Sequence, residues 1–257
     1  MSFLLLYWIY AGLVGLLVGS YLNVVIYRLP RRLSTVLPRS RCPACGTPIR
    51  PYDNIPVFAF LWLRGRCRTC GVRIGWRYPA IEALTGALFM LSAVRFGLSL
   101  DALVAAAFCA AMVVLAAIDV EHFLLPDRIT LPGIAIGLAV QPWLHGPGLL
   151  SAAIGAAAGA VVLTLVWGIW YLIRREHGMG FGDVKMLAMI GAFLGLRSMG
   201  VALFVAVLSG ALAGLALLLV GRFGFRSKLP FGFFLAAGAL IGLFFGDSIS
   251  TAYLGLM

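Results

Sequence analysis

The stretch ALVAAAFCAAMVVLAAI, residues 102–118, contains no charged side chain, and Asp119 follows it directly. As a helix, this run covers most of the roughly 30 Å hydrocarbon core of a bilayer. Apolar residues make up 62% of the 257 residues and charged residues only 11%, too few to cover the surface of a soluble domain. We therefore predict an all-α polytopic membrane protein with about eight transmembrane helices, at residues 3–27, 79–97, 101–118, 129–144, 150–173, 183–199, 200–221 and 229–254.

The distribution of positive charge predicts the orientation of these spans. The net charge is +11, and alternating sides across the spans places every lysine and arginine except Arg95 and Arg197 on one face. The positive-inside rule makes that face cytoplasmic and the N-terminus external. The charge therefore reflects topology and attraction to anionic lipid headgroups, and the chain contains no nucleic-acid-binding motif.

Two apolar runs have alternative interpretations. The run from Val184 to Leu196 is short for a full crossing, and a re-entrant segment is the alternative. That alternative would move three cations to the outer face, so the charge rule disfavours it. The N-terminal run is not expected to be a cleaved signal peptide, because no basic region precedes it and it is long enough to span.

The polar stretch 28–78, between the first and second spans, contains two Cys-x-x-Cys pairs, each followed by glycine. CPACG contains Cys42 and Cys45, and CRTCG contains Cys67 and Cys70. Two such turns complete a tetrahedral four-sulfur site, which predicts a closed, structural zinc site. Two disulfides are the alternative, but the predicted cytoplasmic location is reducing and favours zinc. We expect three parts: a first transmembrane helix at 1–27, a zinc domain at 28–78 and a seven-helix membrane domain at 79–257.

Two acidic residues stand at the predicted cytoplasmic ends of apolar runs. Asp119 ends the third span and Asp183 opens the sixth, so the topology places both at one depth in the membrane. Ionisable groups at such positions are costly and often functional. A close pair in low dielectric would share a proton, so one carboxylate would accept a proton from water while the other donates to a peptide carbonyl. That is the chemistry of an aspartic protease.

Simpler roles for these acids remain open. Asp119 is otherwise an acid that ends a helix, and Asp183 a helix N-cap. Asp127 opens the fourth span and competes as the second acid, although capping suits it better, and Glu82 is a further candidate for a functional role. Gly180 and Gly182 beside Asp183 would let the backbone approach an extended substrate without a Cβ clash and allow the acid to move.

Four ordered blocks of the sequence resemble the bacterial type IV prepilin peptidases, a family of GxGD membrane aspartic proteases. They are GSYLNVVIYRLP (19–30), the cysteine domain through RYPAIE (77–82), AAIDVEHFLLPDRITLP (116–132) and GMGFGDVKMLAMIGAFLG (178–195). The third block carries the first family aspartate at Asp119. The fourth carries the second at Asp183, within the GxGD signature.

The resemblance implies a multi-pass protein of the bacterial inner membrane, a two-step activity and its substrates. Members of this family cleave prepilins and pseudopilins of type IV pili and type II secretion after the glycine that ends a short basic leader. Members with the cysteine domain also methylate the new N-terminal amine with S-adenosylmethionine, and no residue is assigned to that step here. In KLPFGFFLAAGAL (228–240), Phe233 replaces the second proline of the family's Pro-Phe-Gly-Pro-Phe-Leu block, a change that can alter a kink beside the site.

Two other classes of protein fit parts of the pattern. A transporter would use Asp119 and Asp183 as proton or ion carriers, but the internal symmetry frequent in transporters is not found. A zinc-bearing membrane assembly factor would have no chemistry at these acids. A cleavage assay on variants of either aspartate separates the three readings.

Overall fold

The computed structural model describes residues 2–175, 180–220 and 229–255, and this part of the chain contains α-helices, two 3₁₀ turns and no β-strand. The all-α prediction is therefore confirmed. The helices are α1 Ser2–Arg28, α2 Phe58–Trp62, α3 Arg77–Phe96, α4 Leu100–His122, α5 Asp127–Val140, α6 Leu149–Arg174, α7 Phe181–Leu219 and α8 Phe231–Leu254, with 3₁₀ turns at Pro51–Asn54 and Gln141–Trp143.

Among the described residues, 6 helices are long and apolar enough to cross a membrane: α1, α3, α4, α6, α7 and α8. The sequence predicts two more spans than these six, and the difference arises at α5 and α7. Helix α5 has only 14 residues. Helix α7 runs for 39 residues and covers both predicted spans at 183–199 and 200–221. The count of eight spans is not confirmed and stays a prediction.

Helix α7 is interrupted at Gly195, which has φ 70° and ψ 178°. The predicted boundary at 199/200 is therefore wrong by about one turn. Polar side chains from other helices bind the main-chain groups that the break frees. The Gln141 amide donates to Ala192 O at 2.9 Å, and Leu196 N–H donates to Ser151 Oγ at 3.3 Å. Because unpaired backbone groups are costly in a membrane, these partners stabilise the break.

The chain divides into two compact units, Met1–Val114 and Leu115–Met257. In the first unit, α1 packs against α3 at a seam of small residues. A Cβ at Gly15 would lie 2.7 Å from Phe89 Cβ, and one at Gly19 would lie 2.8 Å from Glu82 Cα. Such glycines allow membrane helices to approach closely. Asn23, buried in this seam, donates to Tyr78 O at 3.1 Å.

In the second unit, α7 packs against α5, α6 and α8. The part of α7 before its break is the most buried segment, and Met186, Leu187 and Ile190 are fully buried. Contact with α6 is closest at Gly191, where a Cβ would lie 2.3 Å from the backbone of Gly155. Gly155 and Gly159 of α6 therefore serve close packing against α7.

Candidate active site and metal centre

Asp119 lies near the C-terminal end of α4 and is 6% exposed. Its Oδ2 accepts a hydrogen bond from the main-chain N–H of Phe233 at 3.1 Å. A Cβ at Gly232 would lie 2.9 Å from the same Oδ2. The start of α8 thus contacts the carboxylate through its main chain, and a side chain at position 232 would collide with it.

Asp183 lies in the first turn of α7 and is 7% exposed. The residue at the N-cap position is Gly180, and the Asp183 N–H donates to Gly180 O at 3.2 Å. The alternative role of Asp183 as the N-cap is therefore wrong. Leu125 lies between the two acids: its Cβ lies 2.9 Å from the Cβ position of Gly182, next to Asp183, and its Cδ2 lies 3.0 Å from the Cβ position of Gly232, which lies 2.9 Å from Asp119 Oδ2. The structure thus brings together two buried carboxylates from α4 and α7, separated in sequence but close in space.

The two glycines beside Asp183 have different surroundings. A Cβ at Gly182 would lie 2.9 Å from Leu125 Cβ, so the first turn of α7 lies directly against the segment that follows α4. Among the described residues other than its chain neighbours, the nearest atom to a Cβ at Gly180 would be Asp183 Oδ2 at 3.9 Å. Close packing therefore requires glycine at position 182 and not at position 180. The group that packs against Gly182 is the side chain of Leu125.

Asp127 and Lys185 form an ion pair between the starts of α5 and α7. Asp127 is the first residue of α5, and Pro126 occupies the N-cap position, so the capping role expected for Asp127 is wrong. Its negative charge still lies where the helix dipole favours it. The side chain of Asp127 is 56% exposed, unlike the buried carboxylates of Asp119 and Asp183. Lys185 also lies over the Phe181 ring, 5.6 Å from its centroid.

The four predicted metal ligands form one cluster in the first unit. The Sγ atoms of Cys42, Cys45, Cys67 and Cys70 all lie within 4.8 Å of one another, and all five cysteines of the chain are free. The two turns have matching geometry, since Gly46 N–H donates to Cys42 O and Gly71 N–H donates to Cys67 O, both at 2.9 Å. Gly46 and Gly71 have φ of 69° and 71°, which explains the glycine after each pair.

This donor set fits a metal ion. Four sulfurs converging on one centre match the tetrahedral coordination of structural zinc. The cluster can therefore hold a metal. The four cysteines form one group and are free, whereas the alternative expectation was two disulfide bonds.

Two polar contacts organise the polypeptide around the cysteine cluster. Arg68 and Asp53 form an ion pair at 2.6 Å, and this hydrogen bonding lowers the pKa of Asp53. Val57 N–H donates to Glu82 Oε2 at 2.7 Å, which joins the start of α2 to α3. Val57 has φ 61°, an unusual value for a β-branched residue. Glu82, left as an open functional candidate by its sequence, thus has a structural contact.

These observations define an integral membrane protein with a buried pair of carboxylates and a four-cysteine metal-ligand cluster. Two family models cover most of the chain. The Bacterial Peptidase A24 N-terminal domain matches residues 13–96, and the Type IV leader peptidase family matches residues 106–256. The chain belongs to the type IV leader peptidase family, so the family predicted from its sequence blocks is confirmed. No solved structure matches.

Curated relatives named "Prepilin leader peptidase/N-methyltransferase" align over most of the chain. A protein of Burkholderia pseudomallei (strain 1026b) is 40% identical over 92% of this chain and 85% of its own length. A protein of Bacillus subtilis (strain 168) is 37% identical over 93% and 95%, respectively. A protein of Myxococcus xanthus (strain DK1622) is 41% identical over 87% and 67%. The prediction of a membrane peptidase of this family is confirmed.

Sequence reasoning missed three residues that contact the site or support its helices. Phe233 was noted only as a departure from the family block, whereas its N–H contacts Asp119. Leu125 lies against Gly182, and Gln141 supports the break in α7. The available signal for Gln141 was an uncharged polar residue directly after an apolar run, since polar groups at membrane depth need partners. The contact of Leu125 had no signal in the sequence.

Proposed function

We propose that this protein removes the leader peptide from prepilins and pseudopilins, cleaving after the terminal glycine of the leader at the cytoplasmic membrane face. It then methylates the new N-terminal amine with S-adenosylmethionine. The observation that carries the cleavage step is the burial of Asp119 and Asp183 at positions that both adjoin Leu125. Membership of a peptidase family and the names of the relatives support the same activity.

In the proposed mechanism, the two aspartates share one proton. The ionised carboxylate takes a proton from water, and the resulting hydroxide attacks the scissile carbonyl carbon. The protonated carboxylate donates its proton to the carbonyl oxygen, giving a tetrahedral intermediate. The first carboxylate then returns its proton to the amine nitrogen as the C–N bond breaks, while the second carboxylate takes back a proton from one hydroxyl of the intermediate as the C=O bond re-forms. Leader carboxylate and pilin amine are released, and the pair returns to its starting state.

The proposed location follows from charge and hydropathy. The N-terminus lies outside, the zinc domain at 28–78 is cytoplasmic, and the protein spans the inner membrane with residues 79–257 as its membrane protease domain. Asp119 and Asp183 then lie at the cytoplasmic boundary, where water is available. A substrate whose apolar helix lies in the bilayer would present its scissile bond at that depth.

Zinc and S-adenosylmethionine have different support. We propose that Cys42, Cys45, Cys67 and Cys70 hold a structural zinc, which stabilises a loop that has little apolar core. The methyl donor is inferred from the names of the relatives, and it would supply the methyl group that the processed amine attacks. We assign no residue to methyl transfer.

The proposed function is tested with the purified full-length protein in lipid nanodiscs, a synthetic prepilin and labelled S-adenosylmethionine. We expect Asp119→Asn and Asp183→Asn each to lower kcat for cleavage by about 10²–10⁴-fold, the range for a general acid or base. Asp127→Asn is the matched control, because that carboxylate is exposed and paired with Lys185. Cleavage that survives in either buried-aspartate variant would refute the dyad. Proton flux in place of cleavage would indicate a transporter.

A further inference from the structure

Helix α2, in the polar loop of the first unit, carries large apolar side chains on its exposed face. Phe58, Leu61 and Trp62 have the spacing of one helix face and are 58%, 61% and 71% exposed. The rings of Phe58 and Trp62 stack with centroids 6.0 Å apart. Ala59, on the other side of the helix, is buried. A continuous apolar face of this kind is unfavourable in water and indicates a partner.

The contacts of α2 place it at the level where α3 enters the membrane. Phe60 packs on Trp76 with ring centroids 4.9 Å apart, and Trp76 directly precedes Arg77, the first residue of the apolar helix α3. Val57, directly before α2, donates its N–H to Glu82 Oε2 at 2.7 Å. Glu82 is only about 7.5 Å along the helix axis from the start of α3. The exposed face of α2 therefore lies at the membrane boundary.

Two arginines lie opposite each other next to this helix. Arg66 and Arg73 form an isolated antiparallel bridge, and main-chain hydrogen bonds of 2.9 and 2.7 Å flank the pair on its two sides. Residues paired in this way have Cα atoms only about 4.5 Å apart, and their side chains leave the same face. Arg66 follows Gly65, whose Cβ position lies 3.0 Å from the Phe60 ring. The arginine pair thus adjoins the aromatic contacts of α2.

The positive charge of this pair is not balanced within the loop. The only acidic residue of the 28–78 segment is Asp53, and it is paired with Arg68 at 2.6 Å. Both bridged arginines are exposed. Like charges directly opposite each other are unfavourable, and an anion between them would offset the repulsion. Guanidinium groups match phosphate oxygens in geometry and charge. An apolar face beside such a pair matches the acyl chains and phosphates of an anionic lipid surface.

We propose that α2 and the Arg66–Arg73 pair bind the surface of an anionic bilayer. Phe58, Leu61 and Trp62 enter the boundary between headgroups and acyl chains, where aromatic side chains are favoured. The two guanidinium groups bind headgroup phosphate. Because the second cysteine turn begins directly after the first of these arginines, binding also holds the cysteine cluster on the membrane surface. This site goes beyond the proposed function and does not depend on it.

The first test locates the side chain of Trp62 in the full-length protein. Protein labelled with 5-fluorotryptophan is placed in nanodiscs of phosphatidylglycerol and phosphatidylcholine, and the fluorine resonance missing from Trp62→Phe is assigned to Trp62. We expect a nitroxide on the lipid acyl chain to remove most of the intensity of this resonance, and a gadolinium chelate in the water to remove little. Loss caused by the chelate alone would place α2 in water. Loss caused by neither probe would mean that protein, such as a second copy, covers α2, and either result would overturn the proposal.

The second test concerns the arginine pair. Two arginines near an anionic surface together contribute a factor of roughly 30 to binding. Amide hydrogen exchange in residues 58–76 should therefore be slower with phosphatidylglycerol present than in phosphatidylcholine alone, by up to about that factor. Arg66→Gln/Arg73→Gln should abolish most of this difference. Arg39→Gln/Arg41→Gln is the matched control and should retain it, because it removes the same charge from exposed arginines beside the first cysteine pair.

The remaining outcomes identify the source of the anion and separate this inference from the proposed function. If both double variants lose the difference equally, the charge of the whole loop is responsible and the arginine site is wrong. Inorganic phosphate is also added to nanodiscs of phosphatidylcholine alone, where we expect no slowing of exchange. Slowing to the same extent would show a site for free phosphate and overturn membrane binding. Loss of cleavage in Asp119→Asn tests the proposed function separately, whatever the result at α2.

Discussion

Gly182→Ala is the substitution for which the structure predicts the most specific effect on cleavage. The added Cβ would lie 2.9 Å from Leu125 Cβ, at least about 0.6 Å closer than ordinary carbon contact. Leu125 cannot give way easily, because it is 7% exposed and its Cδ2 also lies 3.0 Å from the Cβ position of Gly232. The first turn of α7 must therefore shift, at a cost of about 1–3 kcal/mol for overpacking.

That shift moves the adjacent Asp183, whose carboxylate must be correctly placed relative to Asp119. A misplacement approaching 1 Å can lower the rate by about 10²-fold. We therefore expect kcat for cleavage of a synthetic prepilin in nanodiscs to fall by roughly that factor, with KM little changed. Gly180→Ala is the matched control and should remain active, because its Cβ would lie 3.9 Å from the nearest atoms among the described residues other than its chain neighbours.

The double variant Gly182→Ala/Leu125→Ala tests the cause directly. Removing the Leu125 side chain beyond Cβ lets the segment relax, so we expect part of the lost kcat to return. If Gly182→Ala keeps wild-type kcat, the packing argument is wrong. If it instead raises KM and the second substitution restores nothing, Gly182 serves the approach of substrate, as its sequence context first suggested.

Three further predictions concern stability and metal binding. Gly191→Ala would place a Cβ 2.3 Å from backbone atoms of α6, which cannot move aside as a side chain does. We expect a loss of about 3 kcal/mol and a lower Tm, whereas Gly168→Ala, with no atom within 4 Å of its Cβ, should unfold like the wild type. Cys67→Ser should remove most of the zinc that mass spectrometry detects in the purified protein, whereas Cys109→Ser should leave the zinc content unchanged. Equal zinc content in the two variants would contradict the four-cysteine site. Glu82→Ala removes the acceptor of the main-chain N–H of Val57 at the start of α2, at a cost of about 1–3 kcal/mol. Limited proteolysis of the 28–78 loop should therefore become faster. An unchanged rate of proteolysis would show that the contact does not stabilise the loop.

The helical membrane class and the four-cysteine cluster were predictable because both depend on local patterns. Burying an apolar run in lipid requires that its backbone groups pair internally, so each run specifies a helix by itself. A Cys-x-x-Cys-Gly turn is likewise local, and Gly46 and Gly71 have the positive φ that such turns need. Asp119 and Asp183 stood out because a charge beside a long apolar run is rare. Their catalytic role stays a prediction.

Helix boundaries within the membrane were less predictable, because they depend on partners from distant parts of the chain. The break in α7 lies at Gly195, where Gln141 and Ser151 bind the main-chain groups that it frees. Neither partner is adjacent to Gly195 in sequence. Hydropathy measures only the transfer of side chains into lipid, so it placed the boundary about one turn too late.

The sequence by itself determined that most of this protein lies in lipid, that it is helical, that four cysteines form two matching turns, and which two acids to test. Each of these follows from the chemistry of a short segment. Only the tertiary structure decided that Asp183 lies within a helical turn rather than at its cap, that Gly182 lies against Leu125, and that Phe233 donates to Asp119. The physical reason is that hydrogen bonds and close contacts act over about 3–4 Å. Which groups come that close is set by how the helices pack, and neighbours in a packed helix bundle are rarely neighbours along the chain.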